Sequence, residues 1–409
     1  MGAEVPAPQR WVGVDSPKHY LLALGVNADL EITLPQQRVE LSRLQSWVAR
    51  HLTKQDAVVI EMTTNTWQLY DELLPHVHSV TVVHPPHVAL ITRAQVMTDK
   101  IAAFTLAKLH AKGLLTGIWV PPEPVRDLRA TLAERGKMTR LATQAKNRLH
   151  AVLQRHHLAP PPGTPFLPER REWWLALPVS ALERQRIHCD LATLDFAARQ
   201  VAGLNQVLTD LAATEERLTL LLQLPGISQV TGLTILASIG EISRFADAKH
   251  LAGYAGLGAR IHDSGLTTHR GRITKAGRRD LRAAVVEAAQ AAANTHPHWQ
   301  AELARLEPRL GRNKAIVAIA RKLQVAVWHV LAEQVADRQA RLELVARKLL
   351  QHAYRLGRSR RPQRQGTGAY VRQQLDRLHI GQTLTEIPWG HRCDASCRNA
   401  RPGLYGTAA

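Results

Sequence analysis

Cysteine is scarce in this chain: Cys189, Cys393 and Cys397 are the only three among 409 residues. Three are too few for a disulfide framework, and a reducing cytoplasm is the expected compartment. Long apolar runs are absent. No stretch of 18 apolar residues exists, and no lipidation signal or amphipathic anchor stands out, so no membrane partner is expected. The opening MGAEVPAPQRW has no basic segment followed by an apolar one, so export is not expected either. Acids are the third shortage. With 34 Asp and Glu against 53 Lys and Arg, the formal net charge is +19. A chain that basic calls for a polyanionic partner, and nucleic acid is the first choice.

The few acids that are present fall at informative places. Asp15 closes the apolar run WVGVD, Glu61 closes AVVIE, and Asp99 opens the apolar helix-like run DKIAAFTLAKL. Two carboxylates at strand ends and one at a helix start can converge on a shared cation, the arrangement needed for Mg²⁺-assisted phosphodiester chemistry. A fourth carboxylate is expected one helical turn after Asp99, but that position is Ala102, and no acid occurs between Asp99 and Glu123. The set is incomplete, which allows for weak metal binding or impaired catalysis.

With 45% hydrophobic residues, the chain has material for two or three domains. Residues 11–35 read as two or three strands (WVGVD, HYLLALGV, DLEITLP), 39–52 as a helix, 56–62 as a buried strand and 66–74 as a helix. HSVTVVHPP reads as a strand stopped by its prolines, with helices following to about 114. Interleaved strands and helices predict an α/β domain over 1–120. From Pro121 to 222 the pattern becomes two long helices, 125–157 and 180–222, around the break PPPGTP. Residues 126–157 carry eight Lys/Arg against two acids, so this pair is expected to be a basic helical hairpin or coiled coil. Its apolar positions exceed what a lone hairpin would bury, which predicts a homo-oligomer.

LPGISQVTGLTILASIG at 224–240 resembles a helix-hairpin-helix, whose LPGI turn would offer backbone N–H groups to a DNA phosphate. An ordinary helix pair with a glycine turn reads equally well. A mostly helical part over 223–337 follows, with helices at 280–292 and 313–331. In the second, Ile316, Ile319, Leu323, Val327 and Leu331 form a core stripe. Residues 338–409 read as a basic tail, poorly ordered beyond Arg358 without nucleic acid.

Ser264 sits in the basic, glycine-flanked segment HDSGLTTHRGR. Its hydroxyl would need activation to be a nucleophile, and on composition alone SG is a turn dipeptide. The arginines around it could neutralise a scissile phosphate. Candidate nucleic-acid contacts are Lys18, Lys100, Lys146, Arg148, Arg260, Arg270, Arg272, Lys275, Arg278, Arg279 and Arg282. His391, Cys393 and Cys397 are an atypical, three-ligand zinc candidate, for which free thiols at a chain end are the plainer reading. Trp173 and Trp174 are read as packing rather than base-stacking residues.

Taken together, VGVDSPK, VVIEMT, VVHPPHV, MTDKIAAFTLA, TRLATQAKNRLHAVL, LPGISQVTGLTILASIGEISRF, YAGL, GRITKAGRRDLR and ARKL occur in an order that resembles the DEDD-type insertion-sequence transposases, the IS-one-ten and IS-eleven-eleven group, over residues 11–335. The resemblance implies an RNase H-like, RuvC-like N-terminal domain, with Asp15, Glu61 and Asp99 as the first three of four acidic ligands for Mg²⁺ and Ala102 in place of the fourth. It implies that Ser264 is a nucleophilic serine forming a covalent link to DNA. It further implies a dimer or tetramer acting on donor and target double-stranded DNA, a noncoding guide (bridge) RNA as partner, and a bacterial, nucleoid-associated setting. A metal-dependent structure-specific endonuclease, or an impaired nucleic-acid-binding variant, are the alternative functions.

Overall fold

The computed structural model describes residues 7–92, 99–264, 267–357 and 366–380. The side chains of 90, 92, 99, 100, 261–264 and 267–270 are outside that description. The chain divides into two compact units, Met1–Pro122 and Glu123–Ala409. It is mixed α/β and mostly helical.

The first unit holds a five-stranded mixed sheet. Its strands are β1 (Arg10–Asp15), β2 (Tyr20–Val26), β3 (Ile32–Glu40), β4 (Asp56–Glu61) and β5 (Ser79–Val83), in the spatial order β3-β2-β1-β4-β5. β1 runs parallel to β4, and β4 to β5, while β2 and β3 are antiparallel additions. The parallel strands are buried on both faces, which is why they read as unbroken apolar runs. Even-numbered residues (Val12, Val14, Val58, Ile60) pack beneath α1 (Leu44–His51) and α2 (Thr66–Leu73). Odd-numbered ones meet α3 (Pro85–Thr92) and α4 (Asp99–Ala111) through Val59, Val83, Val88 and Leu106. The arrangement is consistent with an RNase H-like domain.

Two boundaries differ from expectation. β3 runs on to Glu40, so the helix expected from 39 begins only at Leu44, after a short 3-10 turn. Pro35 is tolerated because β3 is an edge strand with a bulge, where the pairing jumps from Gly25–Leu34 to Ala23–Gln37. Pro85 and Pro86 do more than stop β5: they open α3, where a missing N–H costs nothing.

The second unit begins with α5 (Glu123–Arg155), followed after a short α6 (Arg171–Leu175) by α7 (Ala181–Ala212). These two long helices pack antiparallel. Arg135 Nε donates to Asn205 Oδ1 at 2.7 Å, Arg148 Nε to Asp190 Oδ1 at 2.7 Å, and Arg155 pairs with Glu183. Trp174 is fully buried, and its Nε1 donates to Pro165 O at 2.7 Å, in line with packing rather than base stacking. The second helix ends earlier than expected. Thr214 to Glu216 interrupt it, and α8 (Arg217–Leu222) follows separately, with Glu215 gripping Arg217 through two bonds of 2.8 Å.

α9 (Gln229–Ile239), α10 (Ala248–Tyr254), the hairpin β6 (Ala259–Ser264) and β7 (Thr267–Ile273), α11 (Arg279–Thr295), α12 (Pro297–Leu310) and α13 (Arg312–Glu333) complete the main helical body. α12 had no counterpart in the sequence reading. α13 has a mean hydropathy of 1.5 over 18 residues, long and apolar enough for a membrane span. It is nevertheless a core helix: Ile316, Ile319, Leu323, Val327 and Leu331 are buried together, as expected.

The segment 224–240 forms a turn followed by a single helix, α9, since α8 ends before it at Leu222, and Leu224, Pro225 and Ile227 of the turn are buried. Gly226 has φ +77°, and a Cβ there would lie 1.9 Å from Ala288 O of α11. The glycine is required both by its backbone conformation and by the neighbouring helix. Gly226→Ala is therefore expected to destabilise the unit by about 3 kcal/mol, through left-handed strain plus overpacking, in urea or thermal melts.

α14 (Leu342–Gly357) and α15 (Thr367–Arg377) revise the reading of a basic tail. Val345, Leu349, Leu350, Ala353, Leu356, Val371, Leu375 and Leu378 are buried in the main core. Lys348 Nζ donates to Leu222 O at 3.1 Å and to Leu224 O, and its burial pushes its pKa down to about 7. Arg347 and Arg355 are exposed on the outer face of α14, an amphipathic helix. His391, Cys393 and Cys397 lie outside the described residues.

Candidate functional site

The sheet brings two of the predicted carboxylates together. Val14 pairs with Ile60 across the parallel β1–β4 ladder, so Asp15 and Glu61 are the next residues on adjacent strands, at their carboxyl ends and on one face. Both are half-buried. The Glu61 pKa is raised, first by burial and then by the negative charge of Asp15. Two carboxylates that repel each other in a partly desolvated place suit a hard divalent cation, which takes oxygen ligands.

α4 lies across that face because of one glycine. A Cβ on Gly13 would come within 2.0 Å of Ala103 O and 2.6 Å of Ala107 N. The helix runs antiparallel to β1. Its far end is tied by Lys112 Nζ to Ala28 O at 3.3 Å, and Ala107 and Ala111 pack beside Val26 and Trp11. The start of α4, with Asp99, therefore stands at the end of the sheet that carries Asp15 and Glu61. Asp99 is one turn before Ala103, on the β1 side. Ala102 is one turn before Leu106, which packs on Val59 and Val83, so it stands on the β4 side, towards Glu61. Among the described residues, no three His, Cys, Asp or Glu side chains cluster to hold a metal.

Sequence reasoning missed Gly13 and the polar residues that follow the strands. Ser16 Oγ and Asn65 bond each other at 3.1 Å, Thr63 Oγ1 donates to Asn65 Oδ1 at 2.8 Å, and Thr63 N donates to Thr66 Oγ1 at 2.6 Å. These bonds tie the loop after β1 to the loop after β4 and so hold the two carboxylate-bearing ends together. The available signal was the immediate sequence: each carboxylate is followed by short polar residues, DS and EMTTNT.

Ser264 is in the second unit, as the last residue of β6, paired with Thr267. The hairpin is closed at its foot by Thr274 N to Gly258 O at 2.8 Å, Lys275 N to Gly256 O at 3.1 Å and Arg278 N to Tyr254 O at 2.8 Å. Of the candidate basic residues, Lys18, Lys146, Arg272, Lys275 and Arg279 are exposed. Arg148 is engaged with Asp190, and Arg260 Nη2 donates to Thr274 O at 3.3 Å. Arg282 Nη1 donates to Ala255 O at 3.0 Å and Lys275 O at 3.2 Å, which gives it a part in holding the hairpin foot. The side chains of Lys100 and Arg270 are outside the described set.

Comparison with known proteins agrees with this layout. A family model described as a DEDD-type transposase matches residues 12–158, and one described as the transposase IS116/IS110/IS902 family matches 218–304; together they span more than half the chain. A pilin gene-inverting protein of Moraxella bovis is 26% identical over 335 residues, 79% of this chain and 96% of the relative. The transposase for insertion sequence element IS1111A of Coxiella burnetii is 23% identical over 330 residues, 79% of this chain and 90% of the relative. A sheet with paired terminal carboxylates, joined in one chain to a basic helical part, is thus the layout of an enzyme of DNA recombination. The chain belongs to the DEDD-type IS110 family of transposases. Membership implies DNA as substrate and a divalent cation as cofactor.

Proposed function

We propose that this transposase cuts and rejoins DNA through the Ser264 hydroxyl, with Asp15, Glu61 and Asp99 holding Mg²⁺. The observation that carries the reading is the pairing of Asp15 and Glu61 at the ends of β1 and β4, where Glu61 is disfavoured as an anion without a cation. A bound divalent cation supplies charge neutralisation on the phosphate under attack. Ser264 Oγ forms a bond to phosphorus, and the bond from phosphorus to one sugar oxygen breaks. The proton lost by the serine is made up at that departing sugar oxygen through solvent, leaving a free hydroxyl and a phosphoserine. Rejoining is the same exchange in reverse, with a sugar hydroxyl of the partner strand attacking the phosphoserine. Ester bonds are exchanged one for one, so no external energy source is needed. Incubating the purified chain with its RNA, target duplex and Mg²⁺, followed by denaturing electrophoresis, tests the reading: a covalent protein–DNA adduct is expected.

The partners follow from charge and surface. A net charge of +19 suits a noncoding guide RNA together with donor and target duplexes, in a bacterial, nucleoid-associated setting. The domain plan in this reading is a nuclease domain over 1–120, a helical linker over 121–222, a serine-bearing domain over 223–337 and a basic C-terminal region over 338–409. On α7, Leu182 is 80% exposed, Phe196 44% and Val207 46%. These positions support a homodimer or tetramer built along the helical pair. Light scattering with RNA present is expected to give at least twice the protomer mass, and a monomeric mass would refute the assembly. Ala102 favours a second reading, a catalytically impaired DNA- and RNA-binding variant, and Mg²⁺-dependent cleavage separates the two.

A further inference from the structure

The carboxyl end of α9 is ringed by side chains that the proposed chemistry does not use. Arg129 Nε donates to Ala237 O at 2.7 Å, and its Nη2 donates to Ser238 O at 3.1 Å. Arg244 Nη1 donates to Ile239 O at 2.6 Å, and Tyr254 Oη to Ser238 O at 3.4 Å. The Arg244 guanidinium lies 5.5 Å from the centre of the Tyr254 ring. Arg278 joins the group from the other side: its backbone N donates to Tyr254 O at 2.8 Å, and its side chain chelates Asp280.

A helix carboxyl end carries only about half a negative charge. Arg129 and Arg244 bond it, Arg217 Nη1 donates to Gly240 O at 2.8 Å, and Arg278 stands beside them, which gathers more positive charge than capping requires. Arg129 and Arg244 are both held below the ordinary arginine range, first by burial and, among the other causes, by the charge of Arg278. Like charges brought together in a half-desolvated place repel, and a bound anion offsets that repulsion. Arg129, Arg244 and Arg278 are all partly exposed, so a ligand can reach them.

We infer that Arg129, Arg244 and Arg278 form a binding site for a DNA phosphodiester at the foot of the β6–β7 hairpin, remote from the phosphate that reacts. The inference rests on the reading of this chain as one that handles DNA. Planar guanidinium forks match phosphate oxygens in number and geometry. Ser264 is six residues beyond Gly258 along β6, about 20 Å at the rise of a strand. The site therefore holds the strand several nucleotides from the serine, and these arginines are positioning residues: they fix the path of the DNA on which the hairpin acts.

Two variants of the full chain test this with opposite signs. Arg278→Gln is expected to lower the slope of log affinity against log salt by about 0.9 on a mixed-sequence DNA duplex, the loss of one phosphate contact. Asp280→Asn releases Arg278 from its carboxylate while leaving an amide oxygen to accept from Leu281 N, and is expected to tighten duplex binding several-fold. A cluster that only caps helices would leave duplex affinity unchanged, or weaken it, in Asp280→Asn. Failure of Asp280→Asn to tighten binding, or an unchanged slope in a folded Arg278→Gln, overturns the site. A slope that falls on single-stranded RNA but not on the duplex assigns the cluster to RNA and overturns it equally. Serine adducts with unaltered binding in both variants would sink this site alone. The expected binding changes without any adduct from the parent chain would sink the serine chemistry alone.

Discussion

Glu61→Gln is expected to cut DNA cleavage by roughly a thousandfold or more, the loss of several kcal/mol of charge stabilisation at the phosphate, while DNA and RNA binding persist. The same substitution is expected to raise the thermal midpoint of the chain in EDTA. The sign follows from the raised Glu61 pKa, whose causes are burial and then Asp15. A carboxyl group whose folded-state pKa is above its unfolded value disfavours folding when ionised. That penalty is absent below the ordinary glutamate range, grows as the pH rises through the raised folded pKa, and is fully present above it. The glutamine carries no charge at any of these values, so its advantage should appear at neutral pH and vanish in acid. Mg²⁺ should raise the midpoint of the parent and have a much smaller effect on the variant, because a ligand that binds only the folded state stabilises it in proportion to its occupancy. Normal cleavage by Glu61→Gln, or a lower midpoint at neutral pH without metal, would remove Glu61 from the metal site.

The acidic end of the sheet was legible because the central strands are short, wholly apolar and closed by their carboxylates. WVGVD and AVVIE admit few other readings, and the ladder then puts Asp15 beside Glu61. What was not legible depended on partners far away in sequence. Gly13 gives no sign that α4 will press on it, yet without that contact the start of α4 would not stand over the strand ends. β3 was cut short because Gln36–Arg38 look like a loop, whereas Val39 and Leu34 are buried along an edge strand. α12 was overlooked because Pro297 and Pro308 frame a charged sequence, although Pro297 only opens the helix and Trp299, Leu303 and Leu306 face the core. The basic composition beyond 338 suggested a tail, while the period of Val345, Leu349 and Leu356 marked a core helix. Arg129 shows the same limit: nothing in its basic stretch signals that its guanidinium is anchored on the carbonyls of Ala237 and Ser238.

Ala102→Asp is expected to increase cleavage about tenfold or more and to strengthen Mg²⁺ binding, because position 102 stands on α4 one turn before Leu106, towards the end of β4 and Glu61. A carboxylate there would be the fourth beside Asp15, Glu61 and Asp99, so without metal the variant should be less stable than the parent. Added Mg²⁺ should more than restore the difference, and calorimetry with and without the ion measures both halves. The gain in cleavage should require Ser264, since the acidic residues position and neutralise the phosphate while the hydroxyl attacks it. Ser264→Ala is therefore expected to eliminate covalent protein–DNA adducts in the parent and in the Ala102→Asp background alike, with duplex binding retained. An inactive parent activated by Ala102→Asp would identify this chain as a variant impaired at its fourth ligand. An active parent unchanged by Ala102→Asp would mean that three carboxylates suffice here. Adducts that persist in Ser264→Ala would place the nucleophile elsewhere and end the assignment of the β6–β7 hairpin to the chemistry.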